Sequence, residues 1–182
     1  MDDSRATPID IRLASDPDNA LLAELGAETF AAAFSADNTP EDMRRYLSEA
    51  FGPDIQAAEL ADPASVFLIA EVGGAPAGYA RLREARPRAP LDAVRPIEIV
   101  RLYARATWIG RGVGTALMQA SLDTARVRRC DVAWLGVWER NPRAIAFYHR
   151  WGFVEFGSHT FTLGHDRQTD LLLAKSLDRL PA

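Results

Sequence analysis

The chain has one cysteine, Cys130, so no internal disulfide can form. That suits a reducing compartment, and the cytoplasm is the expected location. Cys130 also lacks the flanking residues of a reactive nucleophile, and buried packing is the better reading for it. No run approaches the roughly 20 apolar residues needed to cross a bilayer, and the opening MDDSRATPID has no basic segment followed by an apolar one. Neither membrane insertion nor secretion is expected. Basic charge is not in excess: the formal net charge is −4. This argues against nucleic acid as the main partner and favours a cationic small molecule. His149, His159 and His165 have no metal-type spacing with cysteines or acids, so no metal is expected. Internal repeats and low-complexity tracts are absent.

What is present reads as one domain over residues 1–182: 48% of the residues are hydrophobic and 25% charged. Ile9 to Leu13 alternates apolar and polar residues with the period of a half-buried strand. Asp18 to Phe34 places Leu21, Leu22, Leu25 and Phe30 at helical recurrence. Thr39-Pro40-Glu41-Asp42 reads as an N-cap, Pro at the first helical position and acids in the first turn. Two helices are therefore expected before the main sheet. Val66 to Val72, the turn Gly73-Gly74, and Ala77 to Arg83 form a hairpin, and consecutive strands here should be antiparallel. The Pro- and Arg-rich stretch Glu84 to Arg95 is a loop within the domain, and Ile97 to Ala104 is the next strand.

Val113, Leu117, Ala120, Thr124 and Val127 recur as on a helix lying against a sheet. Asp131 to Trp138 is almost wholly apolar, as a central parallel strand covered on both faces should be. Trp134 and Trp138 share one face of it and read as core or cleft wall. Asn141-Pro142 opens a short helix that Gly152 closes. Phe153 to Leu163 and Thr169 to Lys175 form a closing hairpin around Gly164-His165-Asp166.

The chemistry gathers at Ile109-Gly110-Arg111-Gly112-Val113-Gly114-Thr115, between a strand and a helix. Backbone N–H groups and a helix N-terminus together make an anion site there, so a phosphorylated ligand is expected. The loop lacks the Lys of a phosphate loop of the GxxxxGK[ST] kind, and its spacing differs from the GxGxxG of dinucleotide binders. A tight turn with no ligand is the alternative.

Together the strand Ile97 to Ala104, this loop, the strand Val132 to Trp138 and the helix Asn141 to Phe153 resemble the GNAT acetyltransferases over about Val66 to Lys175. Ile109 departs from the Gln or Arg usual at the head of the family's loop. The segment Trp134 to Pro142, then Ala144 to Tyr148, Gly152-Phe153, Gly157-Ser158-His159 and Gln168-Thr169-Asp170, resembles the PaiA-like branch, whose members acetylate polyamines. Glu28-Thr29-Phe30, Phe34 and Pro40 to Phe51 resemble the same branch.

The resemblance implies an α/β fold with a mixed central sheet of about seven strands and helices on both faces. The cofactor core would span about residues 66–176 and the substrate-side helices about residues 18–60. It implies an acetyl-coenzyme A-dependent N-acetyltransferase acting on a primary amine such as spermidine or spermine. The backbone of Leu102, Tyr103 and Ala104 would pair with the pantetheine arm, and Ile109, Gly110, Arg111, Gly112, Val113, Gly114 and Thr115 would hold the pyrophosphate. Arg111 adds charge or is simply solvated. Asn141 and Tyr148, two helical turns apart, share a face: Asn141 contacts coenzyme A, caps its helix, or both. Tyr148 matches the general acid that protonates the departing thiolate; packing, as for Phe147 or Trp151, is its alternative. Glu98 is the candidate base, acting directly or through a water; it could equally face solvent or bind the substrate's ammonium. Glu24, Glu28, Glu41 and Asp42 are candidate polyamine contacts, and His149 a candidate substrate contact. Two rival functions remain open: acetylation of a protein N-terminus, lysine or another small amine, and a regulatory module that binds acetyl-coenzyme A without chemistry. A homodimer through the closing strands or the first helices is compatible with the size.

Overall fold

The computed structural model describes residues 7–163 and 166–177. Its elements run β1 (Ile9–Leu13), α1 (Asn19–Phe34), α2 (Pro40–Ala50), α3 (Pro53–Ala61), β2 (Ser65–Val72), β3 (Ala75–Glu84), β4 (Pro96–Ala104), α4 (Val113–Val127), β5 (Val132–Trp138), α5 (Pro142–Arg150), β6 (Val154–Leu163) and β7 (Asp166–Ser176). Short 3-10 turns occupy Asp16–Asp18 and Ala106–Trp108. Gly164 and His165, at the centre of the expected closing turn, lie outside the described residues.

Three helices precede β2 where two were expected. The additional one, α3, opens at Gly52-Pro53 with Asp54 in its first turn, and Gln56 is its only buried residue. A helix this short, with so little buried, carries no apolar stripe for periodicity to detect. The N-cap read at Thr39 is present: its side chain accepts from the Asp42 N–H at 3.2 Å.

The strands form one mixed seven-stranded sheet in the order β1-β2-β3-β4-β5-β7-β6. β1 to β4 make an antiparallel meander, β4 and β5 are parallel, and β7 is antiparallel to both β5 and β6. Alternation along β2 and β3 sends side chains to two separate cores. Leu68, Ala80 and Leu82 meet Val113, Leu117, Met118 and Leu122 of α4 on one face. Phe67, Ile69 and Tyr79 meet Leu22 and Leu25 of α1 on the other. Burial of a side chain such as Leu22 or Leu117 stabilises by about 1.5–3 kcal/mol relative to exposure. Beyond the sheet, Phe30, Met43 and Phe51 form a third cluster joining α1 and α2. Among the described residues no helix is long and apolar enough to cross a membrane.

The first turns of β4 and β5 are clamped together by a carboxylate. Asp131 accepts from the N–H groups of Val94 and Arg95 at 2.6 and 2.9 Å, and Trp134 Nε1 donates to the Ala85 carbonyl at 2.8 Å. The loop 84–95 is thereby anchored at both ends. Trp134 is thus core, whereas Trp138 lines a cleft at the other end of the same strand.

Candidate active site

The clamp holds β4 and β5 together only over Pro96–Glu98 and Val132–Trp134. Register against β3 then shifts: Arg81 opposes Arg101 and Leu82 opposes Ile99, which leaves Val100 as an extra residue. Such a bulge bends and twists its strand. Past it β4 stays paired with β3 through Leu102, Tyr103 and Ala104 but, among the described residues, has no ladder partner on the β5 side. Two cavities open beside this free edge, one of about 240 Å³ between β4, β5 and α1, the other of about 650 Å³ toward the glycine loop. They share Ala33, Leu102, Tyr103, Asn141, Ala144 and Tyr148.

The larger cavity runs to the start of α4. Gly110 and Gly112 have φ of +78° and +92°, a left-handed conformation that disfavours any residue with a Cβ. They turn the chain so that α4 begins at Val113, which is fully buried and does not itself line the cavity. The first N–H groups of a helix lack partners within it, and Gly112, Gly114 and Thr115 line the cavity. Ile109 and Gly110 join that lining, while Arg111 does not: its guanidinium lies 5.7 Å from the centre of the Trp108 ring. Two cations not anticipated from the sequence, Arg143 and Arg150 on α5, line it instead. Their spacing with Phe147 along one helical face was the signal that could have found them.

Gly78 explains how β4 and α4 come so close. A Cβ built there would stand 2.5 Å from the Tyr103 carbonyl oxygen and 3.0 Å from Val113. Only a residue without a side chain lets β3, β4 and α4 meet at the rim of the cavity.

Tyr148 stands where the two cavities join. Its ring meets Phe147 and Phe153 edge-on at 5.4 and 6.0 Å, and burial pushes its phenol up to about 12. A phenol held protonated in this way is a hydrogen donor throughout the neutral range. Asn141 shares the face as its spacing requires, and its Oδ1 also accepts from the Ala144 N–H at 3.0 Å, capping α5. Both readings of Asn141 are therefore compatible with its position.

Glu98 is elsewhere. Its carboxylate accepts from Arg83 at 2.7 Å, and it lines neither cavity. The acids of the first helices are likewise engaged: Glu28 and Glu24 bind Arg105 at 2.9 and 3.4 Å, and Asp42 accepts from the Thr39 hydroxyl at 2.8 Å. None of them, nor Glu41, lines the smaller cavity. His149 sits against the Phe153 carbonyl at 3.0 Å and lines neither cavity. The carboxylate that does line the smaller cavity is Asp170 of β7, in a wall that includes Phe34, Tyr46, Trp138 and Phe161. Burial pushes its carboxyl up. In the sequence Asp170 stands out only as part of the Gln168-Thr169-Asp170 pattern of resemblance. Its alternation along β7 gave no indication that the strand would be inserted next to β5.

A helix N-terminus fed by a glycine turn, an unpaired strand edge and a protonated phenol between them define the layout of an acyl-transfer cleft. A family model described as Acetyltransferase (GNAT) family matches residues 27–153, and the chain belongs to that family. An uncharacterized N-acetyltransferase in the pepI 3′ region of Lactobacillus delbrueckii subsp. lactis is 39% identical over 173 residues, covering 94% of this chain and 99% of the relative. An uncharacterized N-acetyltransferase of Mycobacterium tuberculosis is 31% identical over 156 residues, 86% of this chain and 96% of that one. Among solved structures, the PaiA N-acetyltransferase of Thermoplasma acidophilum in complex with coenzyme A shares the fold with a TM-score of 0.76 at 18% identity, over 93% of this chain and 99% of that one. The protein is an acetyl-coenzyme A-dependent N-acetyltransferase.

Proposed function

We propose that the protein transfers acetyl to a primary amine of a polyamine such as spermidine or spermine, by direct attack with both substrates bound. The observation that carries this is Tyr148, a desolvated phenol shared by the larger and smaller cavities. The residues fit coenzyme A on this structure's own terms. The N-terminus of α4 and the glycine turn at Gly110 to Thr115 suit a pyrophosphate, Arg143 and Arg150 add positive charge, and the free edge of Leu102 to Ala104 suits an extended amide-bearing arm. Bound there, acetyl-coenzyme A supplies an acetyl group activated as a thioester.

The free edge of β4 offers backbone N–H donors where the carbonyl oxygen gathers charge. The amine nitrogen forms the new C–N bond as the C–S bond breaks; the Tyr148 hydroxyl donates its proton to sulfur and is reprotonated by the proton that the acylated nitrogen gives up. No acetyl-enzyme is required. Several features support a polycation as acceptor: the aromatic wall of Phe34, Tyr46, Trp138 and Phe161 around one carboxylate, the acidic net charge, and the PaiA-like sequence pattern. The cation in that wall, Arg101, is held by Glu59 at 2.7 Å.

The test is thiol release from acetyl-coenzyme A with spermidine, spermine, a lysine peptide or no acceptor, for wild type and Tyr148→Phe. Turnover on the polyamines that falls at least about 100-fold in the variant is expected. Turnover on the peptide alone would move the acceptor, and a fully active Tyr148→Phe would remove the acid. Cofactor binding without thiol release on any amine would leave a sensor.

A further inference from the structure

An ammonium ion cannot attack a thioester: it must first lose a proton, and the group that takes it has to reach the acceptor cavity. The structure leaves that position to β7. Glu98 is bound to Arg83, Glu24, Glu28 and Asp42 are engaged elsewhere, Glu41 is not in the lining, and among the described residues Asp170 is the carboxylate in the lining of the smaller cavity.

Asp170 reaches the cavity because β5 has no side chain at the place it crosses. A Cβ built on Gly136 would stand 3.3 Å from Asp170 Oδ2 and 3.6 Å from His159 Cε1, so both side chains lean over that glycine. His159 is the residue opposite Asp170 on β6, with its Nε2 3.7 Å from Asp170 Oδ2. The two differ in access: the Asp170 side chain is 18% exposed and that of His159 is 40% exposed. One end of the pair thus faces the cavity and the other faces water. The remaining titratable or charged groups facing the same cavity are Tyr46 from α2, Arg101 from β4 and Tyr103 and Tyr148 beside the free edge. The tyrosines are phenols raised by burial and Arg101 is occupied by Glu59, so none of these takes a proton at neutral pH.

We propose that Asp170 seats the acceptor's ammonium group and takes its proton, and that His159 passes the proton from Asp170 to solvent. This rests on the amine acetyltransferase reading and assigns the acceptor site within it. The nitrogen gives one proton to an Asp170 oxygen. Asp170 returns to its anion by giving that proton to the bare Nε2 of a neutral His159, directly or across one water, and the imidazolium releases it to solvent. The pair ends as it began, and the freed amine keeps the lone pair that attacks. Imidazole is the side chain suited to exchanging protons near neutral pH. Because burial raises the Asp170 carboxyl, its anionic form, and with it the seat for the cation, is lost as pH falls through that raised value.

The experiment uses the full chain saturated with coenzyme A for binding and acetyl-coenzyme A for turnover, with spermidine as the acceptor, in wild type, Asp170→Asn and His159→Gln. Asp170→Asn is close to isosteric, and unchanged coenzyme A affinity by calorimetry shows that the cleft is intact. The expected result is spermidine binding weakened at least about 10-fold and kcat/KM lowered at least about 100-fold at neutral pH, with the residual activity rising with pH as free amine supplies itself. His159→Gln is expected to retain binding while lowering kcat and altering the pH profile. Wild-type binding and an unchanged profile in Asp170→Asn would overturn the proposal while leaving the acetyltransferase reading standing. Binding lost in Asp170→Asn without turnover of any amine by wild type would instead defeat the acetyltransferase reading and the proton step, and leave only a cation seat.

Discussion

Arg83 Nη2 donates to Glu98 Oε2 at 2.7 Å across the β3–β4 pair. Arg83 lies in the row with Tyr79 and Arg81, which faces α1 and α3, so the pair turns Glu98 to that side of the sheet. The Arg83 side chain is 42% exposed, which screens the interaction. Glu98→Gln is therefore expected to cost about 0.5 kcal/mol, a fall of about 1–2 °C in Tm, with the shape of the kcat/KM–pH profile preserved. A profile that loses its acidic limb in this variant would return Glu98 to the role of base.

The phenol of Tyr148, pushed up to about 12, remains a proton donor well into alkaline solution. In wild type the turnover of a saturating amine should stay level from about pH 7 to about pH 10, with no limb from the acid. An alkaline fall centred near pH 8–9 that disappears in Tyr148→Phe would contradict this. Stability has the opposite sensitivity: an unfolded phenol ionises near pH 10, so the contribution of this buried neutral group is present below about pH 10 and lost as pH rises toward about 12.

At Gly112, with φ of +92°, an alanine would bear left-handed strain of about 1–2 kcal/mol. Its Cβ would also sit 3.3 Å from Ile9 Cδ1. Gly112→Ala should raise KM for acetyl-coenzyme A about 10-fold with a smaller effect on kcat, since the turn orients N–H groups rather than reacting atoms. Steady-state kinetics with the amine held saturating would read this.

Glu59 binds two arginines of the sheet: Arg81 and, at 2.7 Å, Arg101. The arginine side chains are 7% and 11% exposed. Glu59→Gln leaves two buried cations without a counter-charge and should destabilise by about 3–5 kcal/mol, measurable by urea unfolding. It also frees Arg101 in the smaller cavity, so, with the acceptor seated there as proposed, KM for a polyamine should rise more than KM for acetyl-coenzyme A.

Arg12 ties β1 to the turn before α1 through Asp18 at 2.9 Å and to β2 through Glu71 at 2.8 Å. Hydrogen bonding to Arg12 brings the Asp18 carboxyl down to about 2. Its stabilisation is present above the unfolded value near 4 and is lost as pH falls from about 4 to about 2. With Arg12 partly exposed this amounts to about 1 kcal/mol, and Asp18→Asn should remove it at neutral pH while narrowing the gap to wild type in acid.

Local patterns made much of this molecule legible. Alternation located β1, the two-glycine turn marked the β2–β3 hairpin, and Pro after a capping residue placed the starts of α2 and α5. Glycines that need positive φ announced the turn before α4 because no other residue adopts it cheaply. A seven-residue separation put Asn141 and Tyr148 on one face because the helical period requires it. These are one-dimensional properties: each depends on a few neighbours along the chain. The tertiary structure decided what depends on strands that meet from afar. Alternation said that Glu98 lay on one face of β4, but pairing with β3 decided that the face held Arg83. The extra residue at Val100 parts β4 from β5, and the insertion of β7 between β5 and β6 carries Asp170 and His159 over Gly136. Which carboxylate lines the smaller cavity was therefore decided by register and strand order, which no local period encodes.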